Sequence, residues 1–349
     1  MARRKARVPQ GKKLQPAVKT MKFKLPKPEG GAFGNATIDL SQCASLLNRR
    51  FYRQGLNWAV GGFTLQGFAG VSAYVEISKI PDTYVASNAW EKGFRAWDKM
   101  NRKALQEAES TKARFTDFKV YMDQTHLDVG VAANLLPFDH ATTGNDQQAV
   151  PGEWEMSQFE VPEVYDPVLN PTNQSMAMDV IWVGENFNGA ADRVVSLIQG
   201  YANSRALPSI VDPNVPDDAD DVHGQTPENW LSAIFNEGNE QIGDVLANVT
   251  EENNEPPYPY ENDGTHTTTM YPGGADQLPN LELHYPMQIA PTTVSGLNTA
   301  PGGNFQGGLI RLQYSIAVSD PSVDAECMLL VHLVPGHHRG YLCEPMQDV

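Results

Sequence analysis

The sequence has little of what exported and membrane proteins carry. Its 349 residues include three cysteines, and their spacing matches neither a zinc site nor a disulfide framework. No apolar run approaches the ~18 residues of a membrane-spanning helix. The longest run, near Cys327–Val334, is interrupted by His332. The basic N-terminus is followed by polar, proline-broken sequence instead of the apolar core of an export signal. We therefore expect a protein of a reducing compartment, with no export signal and no membrane partner.

The familiar motifs of catalysis are also missing. The chain has no GxSxG, no P-loop, no CxxC and no GxGxxG followed by an acid. Carboxylates are so abundant that no pair of them stands out as a catalytic acid and base. The adjacent His337 and His338 would face opposite ways on a strand, which serves a metal poorly. We therefore predict that the protein is not an enzyme. His332 lies inside an apolar strand, and we predict that it is a hydrogen-bonded core residue.

No acidic residue occurs before Glu29, and this absence is the most informative feature of the chain. Residues 1–28 carry ten basic side chains, whereas the remaining residues hold 16 basic and 42 acidic ones. A segment with so many like charges stays solvated and normally binds a polyanion. We predict that this basic arm binds nucleic acid through contacts to phosphates, which carry no base information. The contacting residues would be Arg3, Arg4, Lys5, Arg7, Lys12, Lys13, Lys19, Lys22, Lys24 and Lys27. A nuclear-import signal or a solubilising tail is the alternative.

Segments typical of strands recur along the rest of the chain. The 25 prolines and 29 glycines indicate many turns between short elements. Runs rich in β-branched and aromatic residues predict strands at Ala36–Leu47, Val71–Ile80, Phe118–Asp123, Trp154–Val161, Met176–Val183, Leu281–Ala290, Leu309–Val318 and Cys327–Val334. The first of these also fits a short helix. No strand is predicted within residues 1–28.

Three stretches have helical periodicity instead. They begin at Asn88, at Asn188 and at Thr226, where Pro227 takes the first helical position. These helices fall between strands without a regular alternation of strand and helix. The chain therefore predicts an all-β fold with helical insertions, built as an antiparallel sandwich. We expect residues 184–280 to form a long helix-containing insertion without a strand.

Three segments together carry a resemblance to a known family. They are the arm ARRKAR…GKK, the segment WEKGFRAWDKMNRK, and the closing GGNFQGGLIRLQYSIAV…CMLLVHLVPGHHRGY. With this arrangement the chain resembles the capsid proteins of small icosahedral viruses, most closely those of circular single-stranded DNA viruses. The resemblance implies a single eight-stranded antiparallel jelly roll over residues 29–349, behind the arm of residues 1–28. It places the helices between the second and third strands and between the fifth and sixth.

The same resemblance implies the function and the partners. The chain would assemble with itself, in roughly 60 or more copies, into a closed shell, and would package a single-stranded genome of DNA or RNA. It would be found in the virion, and in the host nucleus or cytoplasm during assembly, and would meet a host receptor. Two alternatives are a jelly-roll module that binds a carbohydrate or a receptor, and a sandwich-fold hydrolase. The basic arm favours the capsid, since neither alternative needs one.

One acidic segment is a candidate cation site. Residues 212–221 hold five carboxylates in ten positions, and Ca²⁺ takes several oxygen ligands. The segment lacks the glycine and the terminal glutamate of an EF-hand loop, so a solvated acidic loop is favoured and calcium binding is the alternative. The ligands of the calcium hypothesis are Asp217, Asp218, Asp220 and Asp221.

Overall fold

A computed structural model of the chain describes residues 15–28, 33–67, 70–107, 117–139, 147–162, 175–188, 193–206, 231, 281–293, 296–318 and 326–348. These residues are mostly β, with antiparallel sheets and few helices, as predicted. The strands are β1 (Thr20–Pro26), β2 (Gly34–Asp39), β3 (Leu56–Gly67), β4 (Val71–Lys79), β5 (Phe138–Asp139), β6 (Gln147–Gln148), β7 (Gln158–Pro162), β8 (Ser175–Ile181), β9 (Phe187–Asn188), β10 (Arg193–Ser196), β11 (Glu282–Ile289), β12 (Leu297–Gln306), β13 (Leu309–Val318), β14 (Glu326–Leu333), β15 (Pro335–Gly336), β16 (Gly340–Tyr341) and β17 (Cys343–Pro345). The helices are α1 (Leu40–Asn48), α2 (Tyr84–Glu107), α3 (Gln124–Val129) and α4 (Leu197–Ala206), with 3-10 turns at Val131–Ala133 and Met346–Asp348.

Two antiparallel sheets enclose the larger hydrophobic core. The first sheet has the order β1-β14-β3-β12, and β17 also pairs with β3. The second sheet has the order β11-β4-β13-β2. In β4 and β14 every second residue is buried, which is the period of a strand with one face on a core. Side chains such as Val75, Leu329 and Trp58 therefore meet between the sheets.

The basic arm ends earlier than predicted. β1 pairs with β14 over its whole length, from Thr20 opposite His332 to Pro26 opposite Glu326. Its side chains Met21, Phe23 and Leu25 are fully buried. The prediction that residues 1–28 hold no strand is therefore wrong. The alternation of lysine with an apolar residue in this segment is typical of a strand. The high density of positive charge indicated a solvated arm instead, and the strand was therefore not predicted.

The first predicted strand continues into a helix. β2 stops at Asp39, whose carboxylate accepts hydrogen bonds from the backbone N–H groups of Ser41 (2.8 Å) and Gln42 (3.2 Å). This is the capping contact that starts α1. Residues 40–47 are therefore helical, which is the alternative that the sequence left open.

Two further strands of the first sheet, β3 and β12, were not predicted, because both are rich in glycine. β3 contains Gly61 and Gly62, and β12 contains Gly302 and Gly303. Glycine lowers the strand propensity of a segment. Here it permits close pairing, since a Cβ atom on Gly302 would collide with the carbonyl oxygen of Val60.

A large insertion separates β4 from β11. It contains α2, α3, α4 and a second four-stranded sheet of order β7-β8-β10-β9, packed around a second hydrophobic cluster. The predicted helix near Asn88 is confirmed, but it begins at Tyr84, where the backbone N–H of Ala86 contacts the Thr83 Oγ1 at 3.4 Å. α2, α3 and α4 thus all lie between β4 and β11, the fourth and fifth strands of the two main sheets. Along the chain, α2 follows the second predicted strand and α4 follows the fifth, as predicted, but the third, fourth and fifth predicted strands do not belong to the two main sheets.

Three predicted strands belong to this insertion. β7 and β8 match two of them, whereas the third, Phe118–Asp123, forms only a bridge from Tyr121 to Ile181. The expectation that residues 184–280 hold no strand is wrong, since β9 and β10 precede α4. The predicted helix that starts at Thr226 lies outside the described residues, except for the buried Leu231.

A chain of buried polar groups joins the insertion to the sandwich. The Asp39 carboxylate also accepts hydrogen bonds from Trp154 Nε1 (3.1 Å) and Gln54 Nε2 (3.3 Å). These four donors hold the carboxylate at a position with no exposed surface. Burial nevertheless outweighs them and raises the pKa of Asp39 to about 6.

His126 is the second titratable group of this junction. Its Nδ1 accepts from the backbone N–H of Met122 (3.0 Å), so Nε2 carries the proton and donates to Asn134 Oδ1 (2.8 Å). Asn134 in turn donates to Gln42 on α1 at 3.0 Å. Burial lowers the pKa of His126 to about 4, against the bond to Asn134 and with help from the nearby Arg311. The imidazole is therefore neutral near pH 7.

These two groups predict opposite effects of acid on stability. Folding raises the pKa of Asp39 from 3.8 to about 6. The contribution of Asp39 to stability is therefore fully present below pH 3.8 and is lost as the pH rises through 6. Folding lowers the pKa of His126 from 6.5 to about 4. The contribution of His126 to stability is therefore fully present above pH 6.5 and is lost as the pH falls through 4. Each effect is on the order of 3 kcal/mol. We expect the two to largely cancel between pH 4 and 6 in the natural chain.

Single substitutions should separate the two effects. In Asp39→Asn the free energy of unfolding should decrease as the pH falls from 6.5 to 4, because only the His126 effect remains. In His126→Gln it should increase over the same interval. Urea unfolding of each variant across this range measures both slopes, and Asp128→Asn, at an exposed residue of α3, is the control. Slopes of the same sign in both variants would contradict this account.

Candidate nucleic-acid interface

The structure places four of the ten predicted arm residues. Lys22 and Lys24 lie on β1 with their side chains on the face away from the core, and Lys24 forms an ion pair with Glu326. Lys19 and Lys27 are exposed at the two ends of the strand. The other six lie outside the described residues: Arg3, Arg4, Lys5, Arg7, Lys12 and Lys13. The basic arm therefore divides into residues 1–14 and a lysine-bearing strand that belongs to the sheet.

The segment Gln15–Lys19, which we call the arm root, is fixed to the body. The backbone N–H of Val18 donates to Asn48 Oδ1 (3.0 Å), and the Val18 carbonyl accepts from the Tyr341 hydroxyl (2.7 Å). The Lys19 carbonyl accepts from the backbone N–H of Leu333 (2.7 Å). These contacts tie the arm root to α1 and to the C-terminal part of the chain.

Arginines that were not predicted surround the arm root. Arg49 ends α1 in the left-handed conformation (φ 54°), and Arg50 Nη1 donates to Gln15 Oε1 at 3.0 Å. Arg339 also has a positive φ of 52° and donates through its guanidinium to the carbonyl of Phe51. The side chains of Arg49, Arg50 and Arg339 are exposed. Positive charge therefore continues from the arm onto an otherwise acidic body, as attraction of a polyanion requires.

A cleft of about 470 Å³ opens beside these arginines, between the sandwich and the insertion. Its lining combines aromatic rings with two guanidinium groups. The main residues are Phe51, Arg53, Trp90, Phe94, Phe118 and Arg339. Trp90 and Phe94 come from α2, and their rings are stacked with an interplanar angle of 8° and centroids 5.3 Å apart.

The charges of the cleft favour an anion. Asp117 is the acidic residue among the lining side chains, and Lys119 forms an ion pair with it at 3.1 Å. Burial raises the pKa of the Asp117 carboxyl, although Lys119 and Arg53 act against this rise. Because Lys119 balances Asp117, the cations Arg53 and Arg339 leave the cleft with a net positive charge.

The remaining predicted site residues belong to the calcium hypothesis. The calcium ligands Asp217, Asp218, Asp220 and Asp221 lie outside the described residues. Within the described ranges no three His, Cys, Asp or Glu side chains are grouped as a metal site requires. Over the same part of the chain, no helix combines the length and the apolar character that crossing a membrane requires.

The prediction for His332 is right about its hydrogen bonds and wrong about its place in the core. Its Nδ1 lies 3.1 Å from Thr20 Oγ1 and its Nε2 lies 3.0 Å from Thr64 Oγ1. The side chain is half-buried on the outer face of β14 and links β1 to β3. His332 thus has a structural role in the sheet.

Comparisons with protein-family models, with curated proteins and with solved structures found no match for this chain.

Proposed function

We propose that the chain is a jelly-roll capsid subunit that assembles into a closed shell and packages a single-stranded genome with its basic arm. The fold part of this proposal is supported by how the strands pair. β1 pairs with β14, β2 with β13, β3 with β12 and β4 with β11. Among the eight strands of the two main sheets, the first thus pairs with the eighth, the second with the seventh, the third with the sixth and the fourth with the fifth. This is the pairing that results when one long hairpin is rolled into two sheets.

The observation that carries the functional part is the place of the charge. Six basic residues precede Gln15 in the sequence, and the arm root that follows leads directly into β1. The body after residue 28 has a net charge of −26, taken as its 16 basic minus its 42 acidic residues. In a shell of such subunits, the arms would neutralise the phosphates of the genome. The sandwich of each subunit would pack against the sandwiches of neighbouring copies.

Electron microscopy of the purified full-length protein tests this proposal. We expect closed shells of uniform size that contain nucleic acid, and we expect salt to favour assembly because it screens repulsion between acidic bodies. The ratio of absorbance at 260 and 280 nm measures the packaged nucleic acid. A protein that remains monomeric from low to high salt, and purifies free of nucleic acid, would refute the proposal.

A further inference from the structure

We propose that the cleft between α2 and the sandwich binds one unstacked base of a single-stranded nucleic acid, with the adjoining phosphate on Arg53 and Arg339. This inference rests on the proposed function and adds a second contact to the one made by the arm. The cleft would hold the strand at a defined point on each subunit, whereas the arm neutralises charge.

The aromatic lining supplies the surface that a base needs. Phe51 and Phe94 line the cleft and are only half-buried, so part of each ring remains accessible. Trp90, 4% exposed, backs Phe94 with its parallel ring. Bases stack on such aromatic side chains in single-strand binding proteins, and the preference for a particular base is weak because every base has a π face.

A polar group in this wall has no partner within the described residues. The indole N–H of Trp90 is buried, and no acceptor in the described part of the chain contacts it. An unsatisfied buried donor is unfavourable. Because this nitrogen has almost no exposed surface, a ligand with carbonyl or ring-nitrogen acceptors satisfies it only when the Trp90 side chain shifts toward the cleft. A base has such acceptors, in contrast to an aliphatic or purely aromatic ligand.

Two arginines that line the cleft, Arg53 and Arg339, are placed to bind the phosphate next to the bound base. Arg53 is exposed at the rim, and Arg339 is held there by the bond from its guanidinium to the Phe51 carbonyl. A guanidinium binds phosphate oxygens through its planar fork of donors. The volume of about 470 Å³ falls within the ~300–1,000 Å³ of typical small-ligand sites.

The arm cannot supply this type of contact by itself. Residues 1–19 contain no aromatic side chain. Their contacts with nucleic acid are contacts of charge with phosphate, which weaken steeply with salt. A preference for strands that carry bases over strands that lack them must therefore originate on the body.

The test compares two oligonucleotides with equal numbers of phosphates, dT12 and an abasic 12-mer, bound to the full-length protein. Stacking of one base contributes ~1–3 kcal/mol, so dT12 should bind roughly 5- to 150-fold more tightly. Phe94→Leu removes a half-buried ring from the cleft and should move this ratio toward 1. Phe33→Leu, the same change at an exposed phenylalanine outside the cleft lining, should keep it.

A second variant tests the phosphate contact without altering the aromatic wall. Arg53→Ala should lower the slope of log K against log salt by about 0.7, which corresponds to one phosphate contact on a single strand. Arg193→Ala, at an exposed arginine of β10, should leave the slope unchanged. Photo-crosslinking of a 5-iododeoxyuridine 12-mer should label peptides that contain Phe51, Trp90 or Phe94.

The outcomes separate this inference from the proposed function. Equal binding of dT12 and the abasic strand, or crosslinks confined to other peptides, would overturn the cleft site even if shells with nucleic acid form. A base preference that Phe94→Leu removes and Phe33→Leu keeps would support the site, and it would do so even in a protein that never forms shells.

Discussion

A chain that lacks residues 1–28 will fail to fold, whereas a chain that lacks only residues 1–14 will fold. The longer deletion removes β1, and with it the fully buried side chains of Met21, Phe23 and Leu25. It also exposes the edge of β14, which pairs with β1 along seven positions. The shorter deletion keeps this strand and the arm root.

The size of this effect follows from the buried side chains. Truncation of one such side chain to alanine costs ~2–5 kcal/mol, and domains of this kind are stable by only ~5–15 kcal/mol. Loss of all three therefore removes much or all of the stability. Circular dichroism and urea unfolding of both deletion variants measure the difference. A cooperative unfolding transition in the 1–28 deletion would show that β1 is dispensable.

A pair of point variants isolates the cause. Phe23→Ala should destabilise the subunit by ~3–5 kcal/mol, because it leaves a cavity in the core. Lys24→Ala on the same strand removes only an exposed ion pair with Glu326 and should cost less than ~1 kcal/mol. Similar losses in the two variants would contradict the assignment of β1 to the core.

Replacement of the six basic residues before Gln15 by glutamine will abolish most of the binding of single-stranded nucleic acid. Each neutralised phosphate contributes about −0.7 to the slope of log K against log salt. The slope should therefore become smaller by about 4, and binding near physiological salt should fall by several orders of magnitude. Fluorescence anisotropy with a labelled dT30 strand, from 50 to 400 mM salt, measures both quantities.

A scrambled arm is the matched control. It keeps the composition of residues 2–14 and changes only their order, and it should retain the natural slope, because contacts to phosphates do not depend on arm sequence. If scrambling abolishes binding while the charge is kept, the arm is recognised as a specific motif instead. If the glutamine variant keeps its slope, the binding charge lies on the body.

The sequence predicted those strands whose periodicity is undisturbed. β4, β13 and β14 alternate or are continuously apolar, and their predicted bounds differ from the structure by a residue or so. β1, β3 and β12 were missed because lysine and glycine lower the propensity of an isolated segment. Pairing with a neighbour overrides that local preference, and the neighbours lie far away along the chain.

The candidate site was predictable only where it depends on charge. The arm is visible in the sequence because ten basic residues occur without an acid. The cleft is not, since its lining comes from separate segments around Phe51, Trp90, Phe118, Arg339 and Gln347. Sequence spacing contains no information on a contact formed by long-range packing, so these residues appeared only once the fold was known.

The pairing of β1 with β14 has a consequence for synthesis of the chain. Thr20 and His332 meet across the sheet although 312 positions separate them. A ribosome that adds ~5–20 residues per second needs roughly 15–60 s to reach the partner strand. For that time the first strand is exposed without its neighbour, and Lys22 and Lys24 on either side of Phe23 are charges of the kind that protect strands from aggregation. We therefore expect these two lysines, which are also among the residues proposed to bind nucleic acid, to protect the nascent first strand from aggregation.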